Sequence, residues 1–194
     1  MDTITKLGWI EVVTGPMFAG KSEELIRRIK RLEYAKKKVL VFRPRIDNRY
    51  SLDEVVSHSN SRRKSILIDN AKDILSHIKE DTYAVVVDEI QFLDKEIIPI
   101  SEHLANRGVR VILGGLDTDF RGETFMITAD LMARAEYVTK LTAICVRCGS
   151  PATKTQRIVN GKPAHYLDPI VVVGASEAYE PRCRHCHEVL GKVK

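Results

Sequence analysis

GPMFAGKS, from Gly15 to Ser22, is the segment of this sequence that is most informative about its fold. Its spacing, G-x-x-x-x-G-K-S, is the P-loop pattern, in which backbone N–H groups at a helix N-terminus surround phosphate oxygens. The apolar run Trp9 to Val13 precedes the loop, and a helical pattern from Glu23 to Leu32 follows it. A strand, a glycine loop and a helix in this order predict a nucleoside triphosphate site.

Two side chains of this loop carry chemistry. We expect Lys21 to reach the β- and γ-phosphates and Ser22 to be a ligand of Mg²⁺, so the expected cargo is Mg·ATP or Mg·GTP. The glycines permit the turn, and the remaining residues contribute backbone groups. The predicted phosphate-binding set is Gly15, Pro16, Met17, Phe18, Ala19, Gly20, Lys21 and Ser22.

The composition predicts a globular, intracellular protein. The 194 residues are 44% hydrophobic, enough for a full core, and the apolar runs are far shorter than the roughly 20 residues of a membrane span. The N-terminus, MDTITKLGWIE, lacks the basic stretch and apolar core of a signal peptide. We therefore expect a cytoplasmic location and no membrane partner.

The net charge of +5 raises the question of a nucleic-acid partner. Basic residues crowd the first predicted helix and its exit, yet Glu23 and Glu24 lie four positions before Arg27 and Arg28. This orientation supports an exposed helix face. We favour a solvated face over a nucleic-acid patch, and we expect no stable nucleic-acid partner.

Apolar runs and helical patterns alternate up to about residue 141. The alternation predicts βαβ units and a parallel sheet covered by helices on both faces. After the first helix, the predicted elements are a strand at 37–44, a long loop from Arg45 to Lys64 and a helix at 69–80 with Asp69 as its N-cap. They continue with a strand at 82–92, a helix at 94–108 that is interrupted or bent near Pro99 and ends at Gly108, and a strand at 109–116.

From about Thr142 the pattern changes to cysteine pairs, short β-type runs and turn residues. Asn160-Gly161 is a strong signal for a hairpin turn. We therefore predict two domains, a nucleotide-binding α/β domain at 1–141 and a small β-rich domain at 142–194.

The four cysteines form two C-x-x-C pairs, which in a reducing compartment indicates metal more than disulfides, although oxidised pairing is the alternative. Four thiolates suit a tetrahedral structural zinc with no open position. The 34 residues between the pairs exceed the usual ribbon spacing. His185 or His187 could replace one cysteine, but we prefer the symmetric set of Cys145, Cys148, Cys183 and Cys186.

Asp88 and Glu89 end the apolar run AVVV. Acids at the end of a parallel strand face the crevice where ligands of α/β proteins bind. We assign Asp88 to the Mg²⁺ shell and Glu89 to the role of general base, while capping of the next helix is the competing interpretation.

A phosphoryl acceptor would need apolar and aromatic walls near the γ-phosphate. The segment VVVGAS could offer backbone groups to a base, although core packing is the competing interpretation for each apolar side chain. The candidates for these walls are Met17, Phe92, Leu116, Phe120 and Tyr179.

Taken in order along the chain, several segments resemble the type II thymidine kinases, the zinc-containing cellular and bacterial class. They are GPMFAGKS, DNRY, VVVDEIQF, GLDTDFRGETF, KLTAICVRCG, ATKTQR and VVVGASEAYEPRCRHC. The resemblance implies phosphoryl transfer from ATP to the 5′-hydroxyl of thymidine. It also implies a RecA-like core, a zinc subdomain with a lasso loop over the thymine, a homotetramer, and inhibition by the end product dTTP.

The resemblance also implies roles for individual residues. Glu89 corresponds to the catalytic base of the family, while Asp47 and Arg49 correspond to a segment near the sugar and phosphates. Asp119 stands where some relatives carry a neutral residue, and we assign it no role. The nucleoside pocket is matched by Met17, Phe92, Leu116, Phe120, Thr155 and Tyr179, and the lasso backbone by Val172 and Gly174.

An alternative function is a zinc-containing P-loop ATPase stimulated by nucleic acid. It predicts ATP turnover that increases with DNA or RNA and falls steeply with salt. The low aromatic content of 6% argues against it, because single-strand binding relies on aromatic stacking. A non-catalytic nucleotide-binding scaffold would have no need for Glu89 after Asp88.

Overall fold

The apolar runs of the sequence form strands, and helical segments connect them. The structure is a computed structural model that describes residues 7–45, 54–56, 62–170 and 178–192, with the backbone alone for 54–56 and 62–64. In chain order the strands are β1 (Trp9–Thr14), β2 (Val39–Pro44), β3 (Glu54–Val56), β4 (Arg62–Lys64), β5 (Ile66–Ile68), β6 (Ala84–Val87), β7 (Arg110–Gly115), β8 (Tyr137–Lys140), β9 (Ala143–Ile144), β10 (Pro151–Ala152), β11 (Lys154–Val159), β12 (Lys162–Pro163) and β13 (Ala178–Arg182). The helices are α1 (Lys21–Tyr34), α2 (Asp73–His77), α3 (Ile97–Asn106) and α4 (Met126–Arg134), with a 3₁₀ turn at Ile90–Phe92.

A six-stranded sheet has the order β5-β2-β6-β7-β1-β8, and all of its strand pairs are parallel. β7 lies between β1 and β6. The loop after β1 and the acids after β6 therefore meet at the same carboxyl edge, which is where ligands of parallel α/β sheets bind.

Successive residues of the central strands face opposite sides of the sheet, and each side has its own core. Val85 and Val87 of β6 belong to the core that includes residues of α3 and α4. Val86 belongs to the other core, with Leu25 and Ile29 of α1. The predicted parallel sheet with helices on both faces is confirmed.

Two predicted helices are shorter than the sequence pattern indicated. α2 begins at Asp73 rather than near Asp69, because the Asp73 carboxylate accepts the backbone N–H groups of Asp69 and Asn70 at 2.9 and 3.1 Å and holds them in a turn. α3 begins at Ile97, so Pro99 lies in the first turn, where its missing N–H costs no helical hydrogen bond. Among the described helices, none is long and apolar enough to cross a membrane.

The structure adds elements that the sequence interpretation did not contain. The stretch predicted as a loop from Arg45 to Lys64 includes the antiparallel pair β3 and β4. α4 and the edge strand β8 were not predicted. β5 was not predicted either, and β8 is mostly exposed, so it lacks the buried apolar run by which β1, β2, β6 and β7 were recognised.

The C-terminal region is antiparallel and β-rich, as predicted. β9 pairs with β10, while β11 pairs with β12 and β13. Asn160 and Gly161 connect β11 to β12 with φ of 48° and 76°, the two left-handed residues of a type I′ turn. The buried apolar cluster of this region is small and consists of Ala143, Cys145, Ala152 and Cys183.

Candidate active site

The loop after β1 has the backbone of a phosphate-binding turn. Gly15, Phe18 and Gly20 have φ of 143°, 65° and 81°, and α1 begins directly afterwards at Lys21. A Cβ on Gly15 would lie 2.4 Å from the carbonyl oxygen of Leu141, so only glycine fits there. The loop thus directs backbone N–H groups and the positive end of α1 toward one place.

Lys21 is directed back across this loop. Its Nζ donates to the carbonyl oxygen of Pro16 at 2.8 Å. Burial lowers the pKa of the Lys21 ammonium, and the negative charges of Glu89 and Asp88 oppose that shift. Asp117, after β7, also interacts with Lys21 and pairs with Lys140 at 2.9 Å between Oδ2 and Nζ. The ammonium therefore lies among carboxylates and can donate further hydrogen bonds to phosphate oxygens.

The two acids after β6 differ in surroundings. Asp88 is 6% exposed, and its Oδ2 lies 3.5 Å from Ser22 Oγ. Its Oδ1 accepts the backbone N–H of Glu89 at 2.9 Å. Glu89 has φ 55° and ψ 41°, a left-handed conformation that is uncommon for glutamate. The sharp turn separates the two carboxylates, one toward the P-loop serine and one toward Gln91.

Two glycines at the end of β7 leave room for these side chains. A Cβ on Gly114 would lie 2.5 Å from Leu25 Cδ1 and 3.0 Å from Asp88 Oδ1. A Cβ on Gly115 would lie 2.6 Å from Gln91 Oε1. The pair Gly114-Gly115 therefore leaves space for the side chains of Asp88 and Gln91, which follow β6, to lie against the end of β7.

The segment after β7 forms a tight loop, which is held by Asp119. One oxygen of its buried carboxylate accepts the backbone N–H groups of Arg121 and Glu123, both at 2.9 Å. Phe120, at the tip, is buried, and its carbonyl oxygen lies 2.8 Å from His187 Nε2. Asp119 thus stabilises the loop that orients the Phe120 ring.

The C-terminal region contacts the P-loop directly. Thr155 of β11 is 2% exposed, and its Oγ1 accepts the backbone N–H of Met17 at 3.0 Å. Ala19 packs against the small apolar cluster around Cys145 and Cys183. Nucleotide loop and cysteine region therefore form one continuous surface.

The four cysteines converge. Their Sγ atoms all lie within 4.8 Å of one another, and Cys148 Sγ is 3.6 Å from Cys183 Sγ. A tetrahedral zinc with Zn–S bonds of about 2.3 Å requires an S–S separation of about 3.8 Å, so the cluster fits zinc. All four are free thiols, and the set includes Cys186 while neither His185 nor His187 belongs to it.

The thiols differ in acidity. Burial opposes ionisation of Cys145, but backbone hydrogen bonds, the strongest involving Cys183, outweigh it and lower the pKa of this thiol to about 6. Hydrogen bonding with Cys183 and Cys148 raises the pKa of Cys186 to about 12. A thiolate is thus favoured at Cys145 and disfavoured at Cys186, and a cation bound by the four sulfurs would stabilise the remaining thiolates.

The thymidine kinase family model matches residues 8–187, nearly the whole chain and every motif described above. This protein belongs to the thymidine kinase family. The members of that family are ATP-dependent phosphotransferases, which agrees with the P-loop and the paired acids at the carboxyl edge of the sheet.

Among solved structures, the chain is similar to the Pif1 helicase from Candida albicans. The two share 13% sequence identity with a TM-score of 0.41, over 71% of this chain and 36% of the helicase chain. This chain thus corresponds to about a third of that structure.

The structure locates most of the residues that the sequence proposed for the site. Glu89, Asp88 and Ser22 lie at the carboxyl edge, and Thr155 contacts the P-loop. Phe92 and Leu116 are half-buried beside the acids, Tyr179 is half-buried in β13, and Phe120 is buried. Asp47, Arg49, Val172 and Gly174, and with the last two the predicted lasso, lie outside the described residues.

Sequence reasoning missed three contributions to this site. They are the bond between Gln91 and Glu89, the close approach at Gly114 and Gly115, and the contact of His187 with Phe120. The doublet Gly114-Gly115 at a strand end was an available signal, because glycine in a buried strand marks a close approach of other groups. The His187 contact joins segments 67 residues apart and left no local pattern.

Proposed function

We propose that this protein is a thymidine kinase, which transfers the γ-phosphoryl group of ATP to the 5′-hydroxyl of thymidine and releases dTMP and ADP. The observation that carries the proposal is the contact of the P-loop residue Ser22 with Asp88, which Glu89 directly follows, in a chain of this family. The phosphate loop forms the binding site for the phosphoryl donor. Glu89, which follows the Mg²⁺-binding residue Asp88, acts as the general base for the hydroxyl of the acceptor.

The P-loop holds the phosphates of ATP. Its N–H groups and Lys21 bind the β- and γ-phosphate oxygens, and the bond of Lys21 with Pro16 is exchanged for phosphate contacts. Ser22 Oγ and Asp88 Oδ2 are both oxygen donors of the kind Mg²⁺ prefers, and they lie close together. When bound, Mg²⁺ neutralises charge on the phosphates.

Glu89 accepts the proton of the 5′-hydroxyl as that oxygen attacks the γ-phosphorus. Glu89 is one residue beyond Asp88, so the nucleoside that Glu89 binds and the ATP whose Mg²⁺ Asp88 binds are held side by side. Catalysis then depends mainly on positioning and on electrostatic stabilisation of the transferring group.

Thymidine binds between the end of the sheet and the cysteine region. Half-buried or buried apolar groups around this space support a pocket for a flat base. We propose that Asp47 and Arg49 contact the sugar and phosphates, and that the backbone of Val172 and Gly174 contacts the base. The proposed pocket residues are Met17, Phe92, Leu116, Phe120, Thr155 and Tyr179.

Zinc at Cys145, Cys148, Cys183 and Cys186 has a structural role in this proposal. A four-thiolate site leaves no open coordination position, and the region has only a small apolar cluster of its own. The metal would therefore stabilise the 142–194 domain and, through Thr155, its contact with the P-loop.

Transfer of labelled γ-phosphate tests the function. Mg·ATP is offered with thymidine, deoxyuridine, deoxycytidine, deoxyadenosine or single-stranded DNA. Label on thymidine is expected, with turnover in Glu89→Ala lower by roughly 10²- to 10⁴-fold while ATP still binds. Glu96→Ala is the matched control, because it removes an exposed glutamate whose partner is Lys72.

Two results would contradict the proposal. Label released as inorganic phosphate, faster with DNA, would indicate the nucleic-acid-stimulated ATPase. Near-normal turnover of Glu89→Ala would remove the base from the mechanism even if thymidine is phosphorylated.

Three further proposals follow from family membership and cofactor chemistry. We propose a homotetramer, which mass photometry would measure, and inhibition by dTTP, which a competition assay against thymidine and ATP would measure. A cytoplasmic location is supported by the thiolate cluster, because zinc thiolates persist in a reducing compartment. Fractionation of cells would test it.

A further inference from the structure

Gln91 bridges two strand ends at the candidate active site. Its Nε2 donates a hydrogen bond to Glu89 Oε2. Its Oε1 accepts the backbone N–H of Leu116 at 3.0 Å. Gln91 is 8% exposed, so neither bond is replaced by water at low cost. Through this amide, the carboxylate that follows β6 is attached to the end of β7.

The sequence of β7 leaves space for this bridge. A Cβ on Gly115 would lie 2.6 Å from Gln91 Oε1 and 2.7 Å from Ile90 Cγ1, closer than real Cβ atoms approach. The φ of Gly115 is not in the left-handed region. The glycine is therefore explained by the close approach of Gln91 and Ile90 rather than by its own backbone conformation.

The Glu89 side chain needs such a restraint. It extends from a left-handed residue in a sharp turn, and a glutamate has several rotatable bonds. A general base must hold its carboxylate within about 0.5 Å of the productive position. An amide donor fixed at its other end to backbone supplies that restraint.

We propose that Gln91 is a positioning residue that holds the Glu89 carboxylate in the orientation that accepts the proton of the nucleoside hydroxyl. This inference rests on the proposed function, and it adds to it the group that orients the base. Lys21 of α1 interacts electrostatically with the Glu89 carboxylate, and the same ammonium also interacts with Asp88, Asp117 and Glu23.

Two substitutions of similar size separate the bonds. Gln91→Glu keeps an acceptor for the Leu116 N–H but replaces the donor to Glu89 by a like charge. Gln91→Met removes both bonds. We expect kcat to fall by roughly 10- to 100-fold in each, because small misplacement of a reacting group has effects of this size, with the KM for ATP close to that of the wild type.

The pH profile distinguishes positioning from a general loss of structure. In Gln91→Glu, two neighbouring carboxylates share a proton, so the acidic limb of kcat/KM for the nucleoside moves to higher pH. The limb moves less in Gln91→Met. Unfolding temperature and zinc content are measured alongside. A folded Gln91→Glu variant with wild-type kcat and an unchanged acidic limb would overturn the proposal. If Gln91→Glu does not fold, a folded Gln91→Met variant with wild-type kcat would overturn it.

A measurement without turnover tests the contact itself. The side-chain amide signal of Gln91 in ¹⁵N–¹H NMR spectra should titrate with pH in the wild type and lose that titration in Glu89→Gln. A titration that persists in Glu89→Gln would refute the contact. Failure of the wild type to phosphorylate any nucleoside would instead refute the proposed function, so the two failures are distinguishable.

Discussion

Replacing Thr155 by valine tests whether the cysteine region holds the P-loop in place. The Thr155 hydroxyl accepts the Met17 N–H at 3.0 Å in a site where Thr155 is 2% exposed. Valine has the same shape without the acceptor, so the N–H of the half-buried Met17 loses its partner. That costs about 1–3 kcal/mol.

The lost hydrogen bond lowers the free energy of local opening of the P-loop as well as the free energy of global unfolding. Since 1.4 kcal/mol is a factor of ten, the Met17 amide should exchange with solvent roughly 5- to 150-fold faster in Thr155→Val. The KM for ATP should also be higher in Thr155→Val than in the wild type, because the loop must be ordered to bind phosphates.

Thr155→Ser is the matched control. It keeps the hydroxyl and loses one buried methyl, which is worth about 0.8 kcal/mol. Hydrogen exchange measured by NMR, with urea unfolding on the same samples, compares the variants. If the Met17 amide exchanges at the same rate in Thr155→Val and Thr155→Ser, the hydroxyl contact does not hold the loop and the reasoning fails.

Three other perturbations have defined outcomes. Removal of the metal with a chelator, or the substitution Cys183→Ser, should unfold the C-terminal region while the parallel sheet persists. Zinc content and circular dichroism are measured on the same samples. Full retention of thermal stability without zinc would contradict a structural role. Gly15→Ala should abolish ATP binding and lower the unfolding temperature, because its Cβ would lie 2.4 Å from the Leu141 carbonyl oxygen; ATP affinity equal to the wild type would show that the backbone yields. In Glu24, side-chain hydrogen bonds with two arginines lower the pKa from 4.5 to about 2, so the ionised carboxylate stabilises the fold fully above pH 4.5 and this contribution disappears as the pH falls toward 2. Glu24→Gln should therefore be less stable than the wild type at pH 7 by about 1 kcal/mol, with a difference that vanishes in acid; a difference independent of pH would refute the assignment.

The local pattern was enough to predict the elements whose signal is local. The P-loop, α1 and the strands β1, β2, β6 and β7 were predicted because each has a long apolar run or a fixed motif spacing. The turn at Asn160-Gly161 was predicted because two consecutive left-handed residues favour those residue types. Elements with a weak local signal were missed, such as β8, whose residues are mostly exposed at the sheet edge.

The amino-acid sequence was sufficient to identify the chemical groups at this site: the phosphate loop, the adjacent acids Asp88 and Glu89, and four thiols in two pairs. These depend on spacings of a few residues, which the backbone geometry of a loop or strand end converts directly into position. Tertiary structure alone decided how the groups meet, because the partners are distant in the chain. Met17 meets Thr155, Gln91 meets Leu116, and the cysteine pairs close one cluster only because strand order and burial bring remote segments to one edge of the sheet.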